Sequence, residues 1–287
     1  MIPGAFDYHR PSTVAEALSL LAEAGEDGRV LAGGHSLIPM MKLRMAVPET
    51  LIDLRHIGEL KGIDEADGTL TIRAMTTQAE VIDSGLLAEY CPILRETALQ
   101  IADPQIRNLG TIGGNVANGD PGNDMPALMQ ALDAAYVLVG PNGSREVSAR
   151  DFYEAAYFTA LDAGEMLTAI RIEAPPKGHG YAYEKQKRKI GDYATAAAAV
   201  ILTMSGGKCD SASIALTNVA DTPLFAEAAG AALVGTELDA VAVNAAVAAA
   251  ESICQPAEDG RGPADFRTRI AGQMVRRGIA RAASRAR

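Results

Sequence analysis

Apolar and polar residues follow one another along the first part of the chain in the order expected for a small α/β unit. Residues 12–24 carry apolar side chains on one helical face, and Thr13 and Glu16 have the spacing of a capping box at its start. Short apolar runs at residues 29–32 and 51–54 have the length of buried strands. A strand, a glycine loop, a helix and a second strand in this order predict an α/β unit.

Turn and capping signals predict a second α/β unit. Residues 62–74 are predicted to form a hairpin that turns at Asp67 and Gly68. Thr77 and Glu80 repeat the capping-box spacing and predict the start of a helix. Further elements are predicted as a helix at residues 92–101, a helix beginning near Asp124 and a hairpin at residues 135–147.

Strand-like segments precede an alanine-rich, helical end of the chain. The strands are predicted at residues 181–187, 194–204 and 212–219, and the helices after Pro223. We therefore expect three units, at residues 1–56, 57–175 and 176–287.

Composition narrows the class of protein. Hydrophobic residues make up 48% of the 287 residues and charged residues 22%, which is typical of a folded globular protein. The formal net charge of −10 argues against a nucleic-acid-binding protein, which would present a basic face. Cys91, Cys209 and Cys254 form no CxxC pair, so we expect no iron–sulfur or zinc site in this chain. With no signal sequence and no long apolar run, a soluble, cytoplasmic protein is expected.

Two loops with paired glycines are the candidate functional residues. Glycine lets a backbone turn tightly and approach a ligand closely, and successive N–H groups in such a loop bind anions. Two such loops can hold the phosphates of a dinucleotide. The residues of the first loop are Ala32, Gly33, Gly34, His35 and Ser36, and those of the second are Thr111, Ile112, Gly113, Gly114 and Asn115.

Each loop taken alone is more often a tight turn than a phosphate site. Neither has the GxGxxG spacing of a Rossmann loop or the GxxxxGK[ST] spacing of a P-loop. The spacing of the glycines therefore leaves both interpretations open.

Three longer strings are more specific than the glycine pairs. They read AGGHSLIPMMKLRMA, ADPQIRNLGTIGGNVANGDPGNDMPAL and KRKIGDYATAAAAV. With these strings the whole chain resembles the flavoprotein subunits of the molybdenum hydroxylase family, which includes xanthine dehydrogenase. The resemblance implies an α+β protein with the FAD-binding fold of the p-cresol methylhydroxylase type. That fold has two small α/β subdomains, followed here by a C-terminal α+β domain with a sheet and a helical bundle.

The resemblance also assigns residues to the cofactor. Both glycine loops are expected to wrap the FAD pyrophosphate. Asp124 matches an acid that contacts the ADP half, and Lys185 matches a basic position near the cofactor. Tyr193 matches a residue close to the isoalloxazine ring. Flavin chemistry belongs to the cofactor, so no catalytic residue and no metal ligand is assigned to this chain.

Partners follow from the same resemblance. It implies a small subunit with two [2Fe–2S] clusters and a large subunit with a molybdenum–pterin cofactor, assembled as a dimer of heterotrimers. Electrons would pass through the clusters to FAD and on to an acceptor such as a quinone. The resemblance is strongest to the branch of the family that oxidises carbon monoxide. A cytoplasmic complex, associated through its partners with the inner face of the membrane, is the expected setting.

Several alternatives remain open on the residues alone. The chain could be a self-contained FAD-dependent oxidase or reductase, the flavin subunit of a hydroxylase with another substrate, or a nucleotide-binding scaffold without redox chemistry. His35 could attach flavin covalently, but we favour a loop residue with local hydrogen bonds. Asp124 could serve only as a helix cap, and Tyr193 could be a core aromatic residue.

Overall fold

The first sheet places its connecting loop at the carboxyl end of a strand. The computed structural model describes residues 2–287, and its first part is a parallel three-stranded sheet in the order β1–β3–β2. Because carboxyl ends of parallel strands share an edge, residues 32–36 lie on that edge. In chain order the elements are β1 (Asp7–His9), α1 (Val14–Ala24), β2 (Gly28–Leu31), α2 (Leu37–Lys42) and β3 (Thr50–Asp53).

Helix α1 begins where the capping signal predicted. The Thr13 hydroxyl accepts a hydrogen bond of 3.1 Å from the backbone N–H of Glu16. Strand β1 was not predicted, since its three side chains are all exposed and give no apolar signal.

A five-stranded antiparallel sheet forms the second part, in the order β4–β5–β10–β6–β7. The hairpins predicted at residues 62–74 and 135–147 are confirmed as β4–β5 and β6–β7. The strands of this sheet are β4 (Ile63–Ala66), β5 (Thr69–Arg73), β6 (Ala135–Gly140), β7 (Gly143–Ser148) and β10 (Met166–Glu173). A separate two-stranded sheet is formed by β8 (Tyr153–Ala155) and β9 (Phe158–Thr159). The helices are α3 (Gln78–Asp83), α4 (Gly85–Tyr90), α5 (Pro92–Ala98), α6 (Pro104–Arg107), α7 (Ile112–Ala117) and α8 (Asp124–Ala131).

The third part is an antiparallel four-stranded sheet, β11–β12–β13–β14, covered by helices. Its long helix α11 packs on β11 and β12 at close range. A Cβ on Gly278 of that helix would lie 2.6 Å from Val200 Cγ2, so only glycine permits this approach. The elements are β11 (Gly180–Gln186), β12 (Ala196–Ser205), β13 (Lys208–Thr217), β14 (Leu224–Phe225), α9 (Glu227–Ala231), α10 (Ala240–Ser252) and α11 (Ala264–Arg285).

The three strands expected in the last part of the sequence are confirmed with shifted bounds, at residues 180–186 rather than 181–187, 196–205 rather than 194–204, and 208–217 rather than 212–219. The segment 192–198, whose sequence leaves strand and helix open, is a loop at residues 192–195 and the beginning of β12 at residues 196–198. None of the helices described in residues 2–287 is long and apolar enough to cross a membrane.

Glu96 joins the third part of the chain to the second. It lies on α5, and its carboxylate accepts a 2.7 Å hydrogen bond from the backbone N–H of Tyr183 on β11. The same carboxylate pairs with Arg285 at 2.8 Å and with Arg281 at 3.2 Å, both on α11. One side chain thus holds a strand and a helix of the third part against the second.

We expect Glu96→Ala to lower the free energy of unfolding by about 1–3 kcal/mol, because it leaves the buried Tyr183 amide without its acceptor. The two arginines lose one acceptor each but keep Glu184 and the Tyr181 carbonyl. Glu96→Gln should cost less, since its amide oxygen still accepts from Tyr183. Urea unfolding measures both. Glu146→Ala, which removes the partner of Arg171 in an exposed pair, is the control and should leave the midpoint almost unchanged. Equal effects of Glu96→Ala and Glu146→Ala would contradict the role assigned to Glu96.

Candidate functional site

A cleft of about 590 Å³ is lined by residues from all three parts of the chain, within the size range of small-molecule sites. Of the predicted site residues, only Ile112 and Gly113 do not line it. The predicted residues that line it are Ala32, Gly33, Gly34, His35, Ser36, Thr111, Gly114, Asn115, Asp124, Lys185 and Tyr193.

The first glycine loop presents unpaired backbone donors to this cleft. Within residues 2–287, no acceptor is in hydrogen-bonding position for the N–H groups of residues 33–36. Gly34 has φ of +78°, which favours glycine. Ser36 precedes α2 without a side-chain capping bond, so its hydroxyl is also free of that helix. An arrangement of successive free donors is suited to an anion such as a phosphate.

Backbone donors of residues 112–115 in the second loop are paired within the protein. The N–H of Ile112 donates to Thr76 O at 2.9 Å, and the N–H of Gly113 donates to Ala74 O at 2.9 Å. The next two N–H groups, of Gly114 and Asn115, donate to the hydroxyl and the carbonyl of Thr111 at 3.0 Å each. This loop therefore forms part of the cleft wall but does not present a row of free N–H donors to a ligand.

A Cβ would meet different neighbouring atoms at the glycines of the two loops. A Cβ on Gly113 would lie 2.6 Å from Ala74 O, so that glycine permits packing between α7 and the end of β5. A Cβ on Gly33 would lie 2.3 Å from Leu109 O, and one on Gly114 would lie 3.4 Å from Ala32 Cβ. The backbones of the two loops therefore lie side by side, close enough for one ligand to contact both.

A buried ion pair links two parts of the chain at the cleft. Lys185 Nζ of β11 lies 2.7 Å from Asp124 Oδ2, the first residue of α8, and their side chains are 1% and 5% exposed. The Tyr183 hydroxyl donates to Asp124 Oδ1 at 2.6 Å, and Lys185 also donates to Gln100 O at 3.3 Å. The carboxylate therefore neutralises a buried cation, beyond any role as a helix cap.

Tyr183 was missed in the sequence, although alternation along β11 puts it on the same face as Lys185. Burial and the Asp124 carboxylate raise the pKa of Tyr183 well above its usual value, so its hydroxyl stays protonated and donates to Asp124. Burial and the nearby Lys185 charge lower the pKa of Lys187.

Tyr193 presents an aromatic ring at the mouth of the cleft. It is 43% exposed, and a Cβ on Gly122 would lie 2.7 Å from its ring, so that glycine makes room for it. Burial of part of the side chain and the nearby Asp120 raise its pKa. Tyr157, which sequence reasoning did not identify, also lines the cleft. Exposed rings at this position can stack on a planar ligand.

The lining fits FAD. Free N–H groups at residues 33–36 suit the pyrophosphate, and Tyr193 suits a planar ring system. Gln78 and Asn118 also line the cleft, and two buried polar side-chain atoms of Gln78 and one of Asn118 have no partner among residues 2–287. Unpaired buried groups of this kind are rare in native proteins and are expected to meet a ligand or a water.

The ion pair should show strong coupling in a double-mutant cycle. Asp124→Ala leaves Lys185 buried without a counter-charge and is expected to cost about 3–5 kcal/mol, whereas Asp124→Ala with Lys185→Met should cost clearly less than the sum of the two single changes. Urea unfolding of the four proteins measures this. The exposed pair Asp265–Arg269, with both side chains 68% exposed, is the control, with coupling below about 0.5 kcal/mol. Additive losses at Asp124 and Lys185 would contradict the buried-pair interpretation.

Comparison with known proteins gives the same cofactor. Residues 4–175 match the family described as the FAD binding domain in molybdopterin dehydrogenase, and residues 181–282 match the CO dehydrogenase flavoprotein C-terminal domain. The chain is 67% identical over 286 residues to the carbon monoxide dehydrogenase medium chain of Afipia carboxidovorans, covering 100% of this chain and 99% of the relative.

Solved structures agree in fold. The structure of Cu,Mo-CO dehydrogenase in its cyanide-inactivated form superposes with a TM-score of 0.99 at 67% identity, over 100% of both chains. Quinoline 2-oxidoreductase from Pseudomonas putida 86 superposes with a TM-score of 0.94 at 36% identity, over 99% of both chains. The expected α+β flavoprotein fold is thereby confirmed, and the chain belongs to the FAD-binding flavoprotein family of the molybdopterin dehydrogenases.

Proposed function

We propose that this chain is the FAD-binding, electron-transferring subunit of a carbon monoxide dehydrogenase. The complex would convert CO and H₂O to CO₂, two protons and two electrons at a molybdenum centre in a partner subunit. The electrons would pass through [2Fe–2S] clusters in another partner to FAD in this chain, and then to an external acceptor such as a quinone. Bound FAD supplies the redox chemistry, and this chain binds and orients it.

The observation that carries the proposal is the identity of 67% to a carbon monoxide dehydrogenase medium chain over the full length, against 36% to the quinoline enzyme. Substrate is chosen in the molybdenum subunit, so the branch of the family decides between CO and other substrates.

Residue roles follow from the geometry of the cleft. The N–H groups of residues 33–36 would donate to the FAD pyrophosphate, and residues 111–115 would supply the opposite wall through Gly114 and Asn115. Lys185, paired with Asp124, would sit beside the ADP half without adding net charge. Tyr193 would lie close to the isoalloxazine ring. In this arrangement Ile112 and Gly113 act by fixing the loop rather than by contact with FAD.

The assembly and its setting belong to the same proposal. A small iron–sulfur subunit and a large molybdenum subunit would form a dimer of heterotrimers with this chain. The complex would be cytoplasmic and would reach the inner face of the membrane through its partners. The three larger of the four sheets, one in each range, support a division of the chain at residues 1–56, 57–175 and 176–287.

The test is purification of the chain from its native cells, with an absorption spectrum, metal analysis and a count of co-purifying chains. We expect flavin bands that bleach on addition of CO, together with iron, molybdenum and two partner chains. Flavin on a lone, metal-free chain that bleaches with its own substrate would show a self-contained flavoenzyme instead. Flavin bands that do not bleach with CO but bleach with an N-heterocycle would assign the chain to another branch of the family.

A further inference from the structure

The loop that carries Tyr193 is exposed along its first half and anchored along its second. It joins β11 to β12, and the N–H of Thr195 closes its base by donating to Gln186 O at 2.7 Å. Ile190 in the first half is 88% exposed, whereas Ala194 and Thr195 are 0% and 3% exposed. Tyr193, which is 43% exposed and lines the cleft, lies at the boundary between the two halves.

Arg267 on α11 anchors the protected half from behind. Its side chain is 2% exposed, and its Nε donates to Thr195 O at 3.2 Å. Its other two nitrogens donate to Ala257 O at 2.7 Å, ahead of α11, and to Asn218 O, just past β13. One guanidinium therefore joins three segments of the third part. Arginine presents its donors in a rigid planar fork, which lysine does not reproduce.

Asn218 holds the residue between Tyr193 and Thr195. Its Nδ2 donates to Ala194 O at 2.5 Å, and its backbone has φ of +62°, a left-handed conformation in which asparagine is enriched. The carbonyls of the two residues after Tyr193 thus each accept a hydrogen bond from a side chain of another segment. With both carbonyls bound, the backbone that carries the Tyr193 ring has little freedom to move.

Contacts on the other side of Tyr193 restrain the same backbone. Asp192 accepts from the Tyr193 N–H at 2.9 Å and from Arg188 Nε at 2.8 Å. Arg261, ahead of α11, places its guanidinium carbon 5.9 Å from the centre of the Tyr193 ring, within the range of a cation–π contact. The aromatic ring at the mouth of the cleft is therefore restrained through both of its flanking segments.

We propose that Arg267 and Asn218 are positioning residues of the flavin site, which hold residues 194 and 195 so that the Tyr193 ring is fixed for the isoalloxazine ring before FAD binds. A ring fixed in advance loses less conformational entropy on binding, which raises the affinity. Neither residue lines the cleft, so each acts through Tyr193 and not by touching FAD. This inference rests on the proposed function, which puts Tyr193 beside the isoalloxazine ring.

Asn218→Gly removes one of these contacts with little other change. Glycine adopts φ of +62° without strain and keeps the backbone carbonyl that accepts from Arg267, but it loses the donor to Ala194 O. Titration of the complex after flavin removal should give an FAD Kd raised roughly 3- to 10-fold. The Kd of ADP, which has no isoalloxazine ring, should stay within about twofold of the unaltered value.

Asp133→Gly is the matched control. Asp133 also has a positive φ, of +52°, its side chain pairs with Arg150 at 3.0 Å, and it does not line the cleft. Its change to glycine should leave the Kd of FAD and of ADP within about twofold of the unaltered protein.

A double-mutant cycle with Tyr193→Ala separates positioning from stability. In the Tyr193→Ala background, Asn218→Gly should change the FAD Kd by less than about twofold, because no ring is left to position. Arg267→Lys should show the same dependence on Tyr193 and also melt at a lower temperature, since it loses the fork that joins three segments. If Arg267→Lys folds poorly, Asn218→Gly still decides the question.

An equal rise in the Kd of FAD and of ADP, or an effect of Asn218→Gly that persists in full in the Tyr193→Ala background, would overturn the inference and leave both residues a structural role alone. An unchanged FAD affinity in Asn218→Gly, while Tyr193→Ala weakens FAD binding, would overturn it as well. An unchanged FAD affinity in Tyr193→Ala itself, or failure of the unaltered complex to bind FAD, would instead contradict the proposed function.

Discussion

The ion pair between Lys185 and Asp124 is the contact on which the geometry of the cleft depends. It joins β11 in the third part of the chain to the start of α8 in the second, and both side chains are almost fully buried. Two charges taken out of water need each other and further hydrogen bonds, which Tyr183 and the Gln100 carbonyl supply. Any displacement of β11 would break this set, so the strand has one position relative to α8.

Glu96 and Lys187 take part in further contacts that hold β11 in the same position. Along β11 and just past its end, the Tyr183 N–H bonds Glu96, Lys185 bonds Asp124, and Lys187 donates to Gln100 Oε1 at 2.7 Å. The loop that carries Tyr193 follows directly, so its starting point is set by these contacts. The fold thereby brings an aromatic ring on one unit to a cleft whose unpaired backbone donors lie on another.

How far the sequence predicts this arrangement differs between local and tertiary features. Capping residues such as Thr13 and Thr77 and turn residues such as Asp67 act within a few positions, and the structure has the elements that they predicted. Strand β10 was missed although it is the middle strand of its sheet. Its buried and exposed positions do not alternate strictly, because its register against β6 shifts between Leu167 and Ala169.

The glycine loops show the same limit at the site. A pair of glycines in the sequence does not reveal whether a ligand or the protein itself leaves no room for a Cβ. At position 113 it is Ala74 that leaves no room for one. Tyr183 carries no motif, and its role arises only when β11 meets α8. Gln78 resembles any polar residue at a helix start until the structure shows that it is buried and unpaired.

Amide hydrogen exchange of the complex, with FAD bound and with FAD removed, tests the account most directly, because it reports the N–H groups of both loops separately. If the first loop holds the cofactor and the second is fixed by the protein, residues 33–36 should exchange fast without FAD and slowly with it, while residues 112–115 should exchange slowly in both states. Equal exchange of residues 33–36 with and without FAD, or fast exchange of residues 112–115 that only FAD suppresses, would contradict it.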